Sequence, residues 1–319
     1  MAAKGIDLTQ GSILRKLIAI AAPIMAMQVF QMAYNLIDMF FLGRISADAV
    51  AAAGSAGMFI WLSVAFFIIG SMGAEIGVSQ SVGKGDIEQA KKYAKNAILI
   101  ALILGMFVMG LTLIFSEPLI RILQIQETQV VHDSALYLRI AALSFPFVFL
   151  NNAISGVYNG VGNSKLPFYL KSIGLVFNII ITPIFIFTFG WGIVGAAMAT
   201  SLGQAVSGLL MILALWHKKS TPFTDKFDFR AVFKPDMKVI KQIFKWSLPI
   251  SVNSALFTSL SMIIAGFVAY FGAGAIAAQR VGTQIESLTW LVGAGYASAF
   301  RAFVGQNFGA RKFDRLKKG

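Results

Sequence analysis

Cysteine is absent and histidine occurs only twice. Disulfides and thiolate metal sites are therefore excluded, and His132 and His217 stand too far apart in sequence to suggest a cluster. Charge is scarce as well. Only 13% of the 319 residues are Asp, Glu, Lys or Arg, against about 25% in a soluble domain. The acidic side is the poorer, with 14 carboxylates against 27 basic groups. No stretch reads as a GxxxxGK[ST] phosphate loop, which argues against an ATP-driven pump. No face gathers His, Asp and Glu into a catalytic constellation, so no enzyme and no cofactor are expected. The opening MAAKGIDLTQGS is polar, and the apolar run after it is too long for a signal h-region.

What the chain has instead is apolar sequence: 57% hydrophobic residues and a mean hydropathy of +0.74. Apolar stretches separated by charge or Gly/Pro breaks read as eight spans, at 14–43, 52–80, 94–115, 133–158, 167–189, 191–216, 243–271 and 276–308. Each is long enough to cross about 30 Å of hydrocarbon. The long polar connection, 217–242, reads as a solvated linker. With the N-terminus placed inside, 22 Lys and Arg fall on inside segments and four on outside ones. That asymmetry predicts a cytoplasmic N-terminus. It also accounts for the net charge of +13 without nucleic acid, since the basic groups are topology signals that can touch anionic lipid.

Shifting the sequence by 226 residues reveals a repeat. Pro23-Ile24 falls on Pro249-Ile250, Ala51-Ala52 on Ala277-Ala278, and VSQSVG (78–83) on VGQNFG (304–309). Six spans precede the second copy, so the two copies share one orientation, as parallel repeats related by an axis along the membrane normal. The expected fold class is an all-α integral membrane bundle of two parallel six-helix repeats. Residues 1–216 form the first lobe, 217–242 a cytoplasmic linker, and 243–319 the start of a second lobe with two spans. By this logic the chain is cut after about eight of ~12 spans.

Several stretches resemble the multidrug and toxic compound extrusion (MATE) transporters: AAPIMAMQVFQMAYNLIDMFFLG, GVSQSVGKGDIEQAKKYAKNA, FNIIITPIFIFTFGWGIVGAAMAT and IAAQRVGTQIESLTWLVGAGYASAFRAFVGQNFGA. Their order and spacing carry the resemblance, which covers essentially the whole chain. It implies two six-helix lobes around a cleft in a bacterial inner membrane. It also implies a monomeric secondary antiporter that exports small organic, often cationic, compounds in exchange for H⁺ or Na⁺. A lipid-linked-precursor flippase of the same superfamily is the alternative. Its cleft should be rich in basic groups, and only Arg301 stands out as a candidate.

Asp38 is the one charged residue between Lys16 and Arg44. A carboxylate facing lipid costs roughly 2.5 kcal/mol or more, so it should face the protein interior or water. The resemblance implies that Asp38 binds the coupling ion, with Tyr34 one turn before it. Asn178, Thr182 and Thr200 should lie at similar depth, and their oxygens suit a hard cation; Asp38, Asn178 and Thr200 would be the ligands of a Na⁺. Structural hydrogen bonding between helices explains the same polar groups equally simply. Thr182 stands where the family branch usually has a second aspartate, so the first lobe is expected to bind at most one ion. Glu286, with Gln284 beside it, is read as a cleft-lining acid or as an internally hydrogen-bonded one. Asn152 and Trp61 are further cleft candidates. Glu75 and Arg301, 226 residues apart, are expected either to pair as a cytoplasmic gate or to snorkel separately. Pro23 is a kink or a hinge. Gly70, Gly73, Gly77, Gly156 and Gly160 should permit close helix packing.

Overall fold

A computed structural model of the chain describes residues 5–217, 222–223, 227–271 and 273–318. Among them the regular structure is helical throughout: α1 (Ile13–Gly43), α2 (Ala47–Leu62), α3 (Val64–Lys84), α4 (Ile87–Arg121), α5 (Thr128–Ala142), α6 (Phe145–Val161), α7 (Lys165–Pro183), α8 (Gly192–Trp216), α9 (Met237–Tyr270), α10 (Ala273–Gly309) and the short α11 (Phe313–Leu316). Six elements are long and apolar enough to cross a membrane: α1, α2 with α3, α4, α7 with its extension, α8 and α9. A seventh crossing is the bent pair α5 and α6, which meet at 49°. Among the described residues seven of the eight expected spans reappear as crossings, most with ends shifted by a few residues, while the eighth, 276–308, is the helix α10, which is not among the elements apolar enough to count as a crossing.

Two of the expected straight spans are broken. Ser63 separates α2 from α3, and Leu143-Ser144 separates α5 from α6. After Pro183 the chain widens into a π-helical turn, Ile184–Thr188. A proline removes one ladder hydrogen bond, and such wide turns absorb the mismatch. Pro23, by contrast, sits inside an unbroken α1.

α3 is the hub, packed against α4, α6, α9 and α10. Its small residues explain this. A Cβ on Gly73 would overlap Ile243 of α9, and one on Gly77 would overlap the Tyr93 ring of α4. On α6, a Cβ on Gly156 or Gly160 would meet the α3 carbonyls of Ser71 and Glu75. The glycines expected to allow close packing do so, because each gap is filled by a neighbouring helix's backbone or side chain.

The linker differs from its solvated expectation. Phe223 and Phe227 are fully buried, joining Leu215, Val232 and Val239 in one core cluster. Asp236 N donates to Asn96 Oδ1 at 2.9 Å, and α9 begins at Met237 rather than near 243. Phenylalanines spaced along a polar segment supply the apolar area that pins it under α3 and α4.

The residues before α1 also dock. Leu8 is fully buried among Leu17, Ile20, Ala302 and Phe303. Its N–H donates to Gln306 Oε1 (2.9 Å), and its carbonyl accepts from Asn307 Nδ2 (3.2 Å) and Arg315 Nε (3.1 Å). Ile6 N donates to Gly162 O in the α6–α7 turn at 3.1 Å. This N-terminal strap therefore joins the end of α6 to the end of α10.

Candidate functional site

Two polar clusters lie inside the bundle. The first is built on α1, α5, α7 and α8. Tyr34 is buried, and its hydroxyl shares a hydrogen bond of 2.8 Å with Thr200 Oγ1. Asn178 Nδ2 approaches the same oxygen at 3.5 Å. Thr182 Oγ1 donates to the Asn178 carbonyl (2.8 Å) and reaches its Oδ1 (3.2 Å). Four of the five ion-coupling candidates are thus in one network.

Asp38 stands one helical turn from Tyr34 and does not enter that hydrogen-bond network. Its Oδ1 is shielded from solvent and has no hydrogen-bond partner. Both Tyr34 and Tyr137 lie in the field of its charge. A shielded acceptor without a donor is costly unless something supplies one. A proton, or a hard cation shared with neighbouring oxygens, meets that need, so the residues present fit such an ion. Tyr137 was not legible in the sequence. It is buried on α5, and its hydroxyl also interacts with Thr200.

The second cluster surrounds a cavity of about 230 Å³ between α1, α3, α6, α7 and α10. Glu75 is buried in its wall. Its Oε2 accepts from Arg301 Nε at 3.0 Å, and its Oε1 accepts from Ser298 Oγ at 2.6 Å. The two gate candidates are brought together, and Asn159 Nδ2 extends the chain of contacts to Ser298 at 3.3 Å. Pro23 lines the same cavity, as does Asn152, whose Oδ1 accepts from Lys171 Nζ at 3.3 Å.

The remaining cleft candidates are not gathered. Glu286 is exposed and accepts from Trp290 Nε1 at 3.0 Å. Trp61 is exposed at the end of α2, and neither residue lines the cavity. The side chain of Gln284 lies outside the described residues. Among the described residues no three His, Asp or Glu side chains cluster as a metal site would need.

A bundle of apolar helices enclosing buried polar clusters is the architecture of a membrane transporter. The chain belongs to the MatE family, whose model matches residues 23–184 and 249–318. It is 29% identical over 312 residues to the probable multidrug resistance protein YoeA of Bacillus subtilis, covering 96% of this chain and 67% of that one. It is 26% identical over 297 residues to the probable multidrug resistance protein NorM of Thermotoga maritima, covering 92% and 62%. The chain thus spans about two thirds of the length of these curated relatives. Among solved structures, it is similar to the outward-facing conformation of a multidrug resistance MATE family transporter of the MOP superfamily (TM-score 0.90, 26% identity, covering 100% of this chain and 70% of that one). It is also similar to a MOP superfamily transporter from Pyrococcus furiosus (TM-score 0.91, 26% identity, covering 99% and 70%).

Proposed function

We propose that this chain belongs to a secondary antiporter that exports organic, often cationic, compounds in exchange for H⁺ or Na⁺ by alternating access. The multidrug resistance names of its relatives support the substrate class. The single observation that carries the coupling is Asp38: a carboxylate oxygen inside the membrane bundle, shielded and unpartnered, one turn from the Tyr34–Thr200–Asn178 network. A proton on Asp38 removes the cost of that oxygen. A Na⁺ would draw on Asp38, Asn178 and Thr200 together. Either way the site holds one charge, because Thr182 supplies a hydroxyl and no second carboxylate.

The two-lobe reading has its support in reciprocal contacts. Gly83 on α3 lies against the Gln306 backbone of α10, and Gly309 on α10 lies against the Gln80 backbone of α3. Both glycines and both glutamines are 226 residues apart, as are Glu75 and Arg301. Self-complementary contact of this kind is what a two-fold axis between two like helices produces. On this reading residues 1–216 are one lobe and α9 and α10 begin the other, with the N-terminus and the 217–242 linker cytoplasmic in a bacterial inner membrane. Glu75, Arg301 and the strap then close the cytoplasmic side, in keeping with the likeness to an outward-facing relative.

The test is export by the full-length protein in proteoliposomes under an imposed H⁺ or Na⁺ gradient, with ethidium as substrate. Wild type should respond to one gradient, and Asp38→Asn should lose that response while still binding ethidium. An undiminished gradient response in Asp38→Asn would sink the coupling role.

A further inference from the structure

The strap has two unequal attachments. One is to α10 and α11, which hold its backbone residue by residue. Besides the bonds that Gln306, Asn307 and Arg315 make to Leu8, Lys312 Nζ donates to Thr9 O at 2.9 Å and Arg315 Nη2 to Gln10 O at 3.0 Å. The Leu8 side chain packs against Ala302 and Phe303, and the Arg315 guanidinium lies over the Phe303 ring, 5.7 Å from its centre. Main-chain hydrogen bonds combined with a side-chain pocket are how grooves bind extended peptides. The α10–α11 end of the bundle is such a groove, occupied by the chain's own residues 8–10.

The other attachment is to the α6–α7 turn. Among the described residues its hydrogen bond is the one from Ile6 N to Gly162 O. The backbones touch there, since a Cβ on Gly5 would overlap the Val161 carbonyl oxygen and one on Gly162 would overlap that of Ile6. The Ile6 side chain, however, packs into the Leu8 cluster with α1 and α10. The turn therefore holds main chain alone.

The two attachments stand on either side of a contact that has to part. Gln306 of α10 also donates from Nε2 to Gly160 O at 3.1 Å, beside its backbone contact with Gly83 of α3. Opening the cytoplasmic side moves α10 and α11 away from α3 and α6. A strap held at both places cannot follow both. The attachment with one hydrogen bond and no side-chain pocket gives way first. The helix that follows the strap, α1, runs along α10 as well as α7, so it does not oblige the strap to stay with the turn.

We propose that the strap is a releasable latch: it stays in the α10–α11 groove, travels with those helices, and lets go of the α6–α7 turn each time the cytoplasmic side opens. The inference rests on the alternating-access reading only in supplying that opening motion.

Cysteine is absent from the chain, which lets introduced pairs be labelled or bridged. Spin labels at residues 165 and 317, both exposed, report the separation of the turn from α11 in the purified full-length protein. Ile6→Pro removes the N–H that Gly162 accepts. Ile6→Ala shortens the side chain and keeps the N–H, so it is the reference for packing and folding defects. The long-distance population should be larger in Ile6→Pro than in Ile6→Ala by a few-fold to about 10-fold, the range for one lost hydrogen bond. A short, reducible bis-methanethiosulfonate bridge between cysteines at 5 and 163 should stop ethidium export in proteoliposomes, and dithiothreitol should restore it. The same bridge between 10 and 317, on the groove side, should leave export unchanged. Equal distance distributions in Ile6→Pro and Ile6→Ala, undiminished export through the 5–163 bridge, or loss of export through the 10–317 bridge each overturns the proposal. If the labels respond as expected but no gradient drives export in the reduced protein, the export reading fails and the latch stands. If export persists through the 5–163 bridge, the latch fails and the export reading stands.

Discussion

Gly309 of α10 lies so close to the backbone of Gln80 on α3 that a Cβ at residue 309 would overlap the Gln80 carbonyl oxygen. The relation is mirrored by Gly83 against Gln306. A methyl group at either glycine must push the two helices apart at the point where their backbones meet. Overpacking of this kind costs about 1–3 kcal/mol. Gly83→Ala and Gly309→Ala should each lower the thermal midpoint of the purified protein by similar amounts. Substitution at Gly110, where no atom lies within 4 Å of a built Cβ, should not. Midpoints from a fluorescence melt compare the three variants, and equal stability of all three would refute the close approach.

The Glu75–Arg301 pair predicts a charge-swap rescue. Removing one member of a buried pair leaves the other charge without a partner, at a cost of about 3–5 kcal/mol. Glu75→Arg and Arg301→Glu should each abolish ethidium export. The double exchange should recover a substantial part of it. Export rates of the four proteins in proteoliposomes decide the matter; a double mutant as inactive as the singles argues against a gate.

Tyr137 should matter to ion coupling although it carries no charge. Its hydroxyl reaches the Thr200 oxygen that Tyr34 also holds. Tyr137→Phe removes one neutral hydrogen bond, worth about 0.5–1.5 kcal/mol. The ion concentration giving half-maximal export should rise a few-fold, far less than the loss expected in Asp38→Asn. A titration of export against the driving ion measures it.

The strap gives a pH prediction. Burial disfavours the Asp7 carboxylate, yet the hydrogen bonds from Thr9 and the charges of Lys16 and Lys312 outweigh that and hold its pKa below the ordinary 3.8. A depressed pKa contributes docking free energy that is present above the undocked pKa and lost as pH falls through the docked one. The strap should therefore stay docked at neutral pH and loosen only below about pH 4. Spin-label distances between residue 10 and residue 317 across that range report it, and Asp7→Asn should flatten the profile.

Leu8 offers a check that needs no acid. Truncating a fully buried leucine costs about 2–5 kcal/mol. Leu8→Ala should lower the thermal midpoint of the purified protein, while Leu14→Ala, on an exposed side chain, should not.

Much of this was written in the chain. Apolar runs interrupted by Lys and Arg mark most of the crossings, and the 226-residue shift puts Glu75 and Arg301 at equivalent positions, although only the packing shows them paired. Tyr34, Asn178, Thr182 and Thr200 were legible because each is a polar group deep in an apolar run. Tyr137 was not. It lies on a short helix whose 49° bend into α6 has no marker beyond Pro146 and a serine. Read as one straight span, that stretch leaves Tyr137 near an interface. Lys171 escaped for a different reason. Counted with the inside loop charges, it satisfied the topology rule, and only packing shows that it points into a cavity. Phe223 and Phe227 were hidden by the lysines around them, since composition sees a polar linker where the fold uses two anchoring rings.

The strap also sets an order of events during synthesis. Leu8 leaves the ribosome well before its partner Gln306, which lies 298 positions later. At roughly 5–20 residues per second, translation needs about 15–60 s to cover that interval. Throughout that time the first lobe is in the membrane with its N-terminal segment undocked. The docking of the strap on α10 is thus among the last contacts a nascent chain can make, and a polypeptide halted short of α10 would lack it.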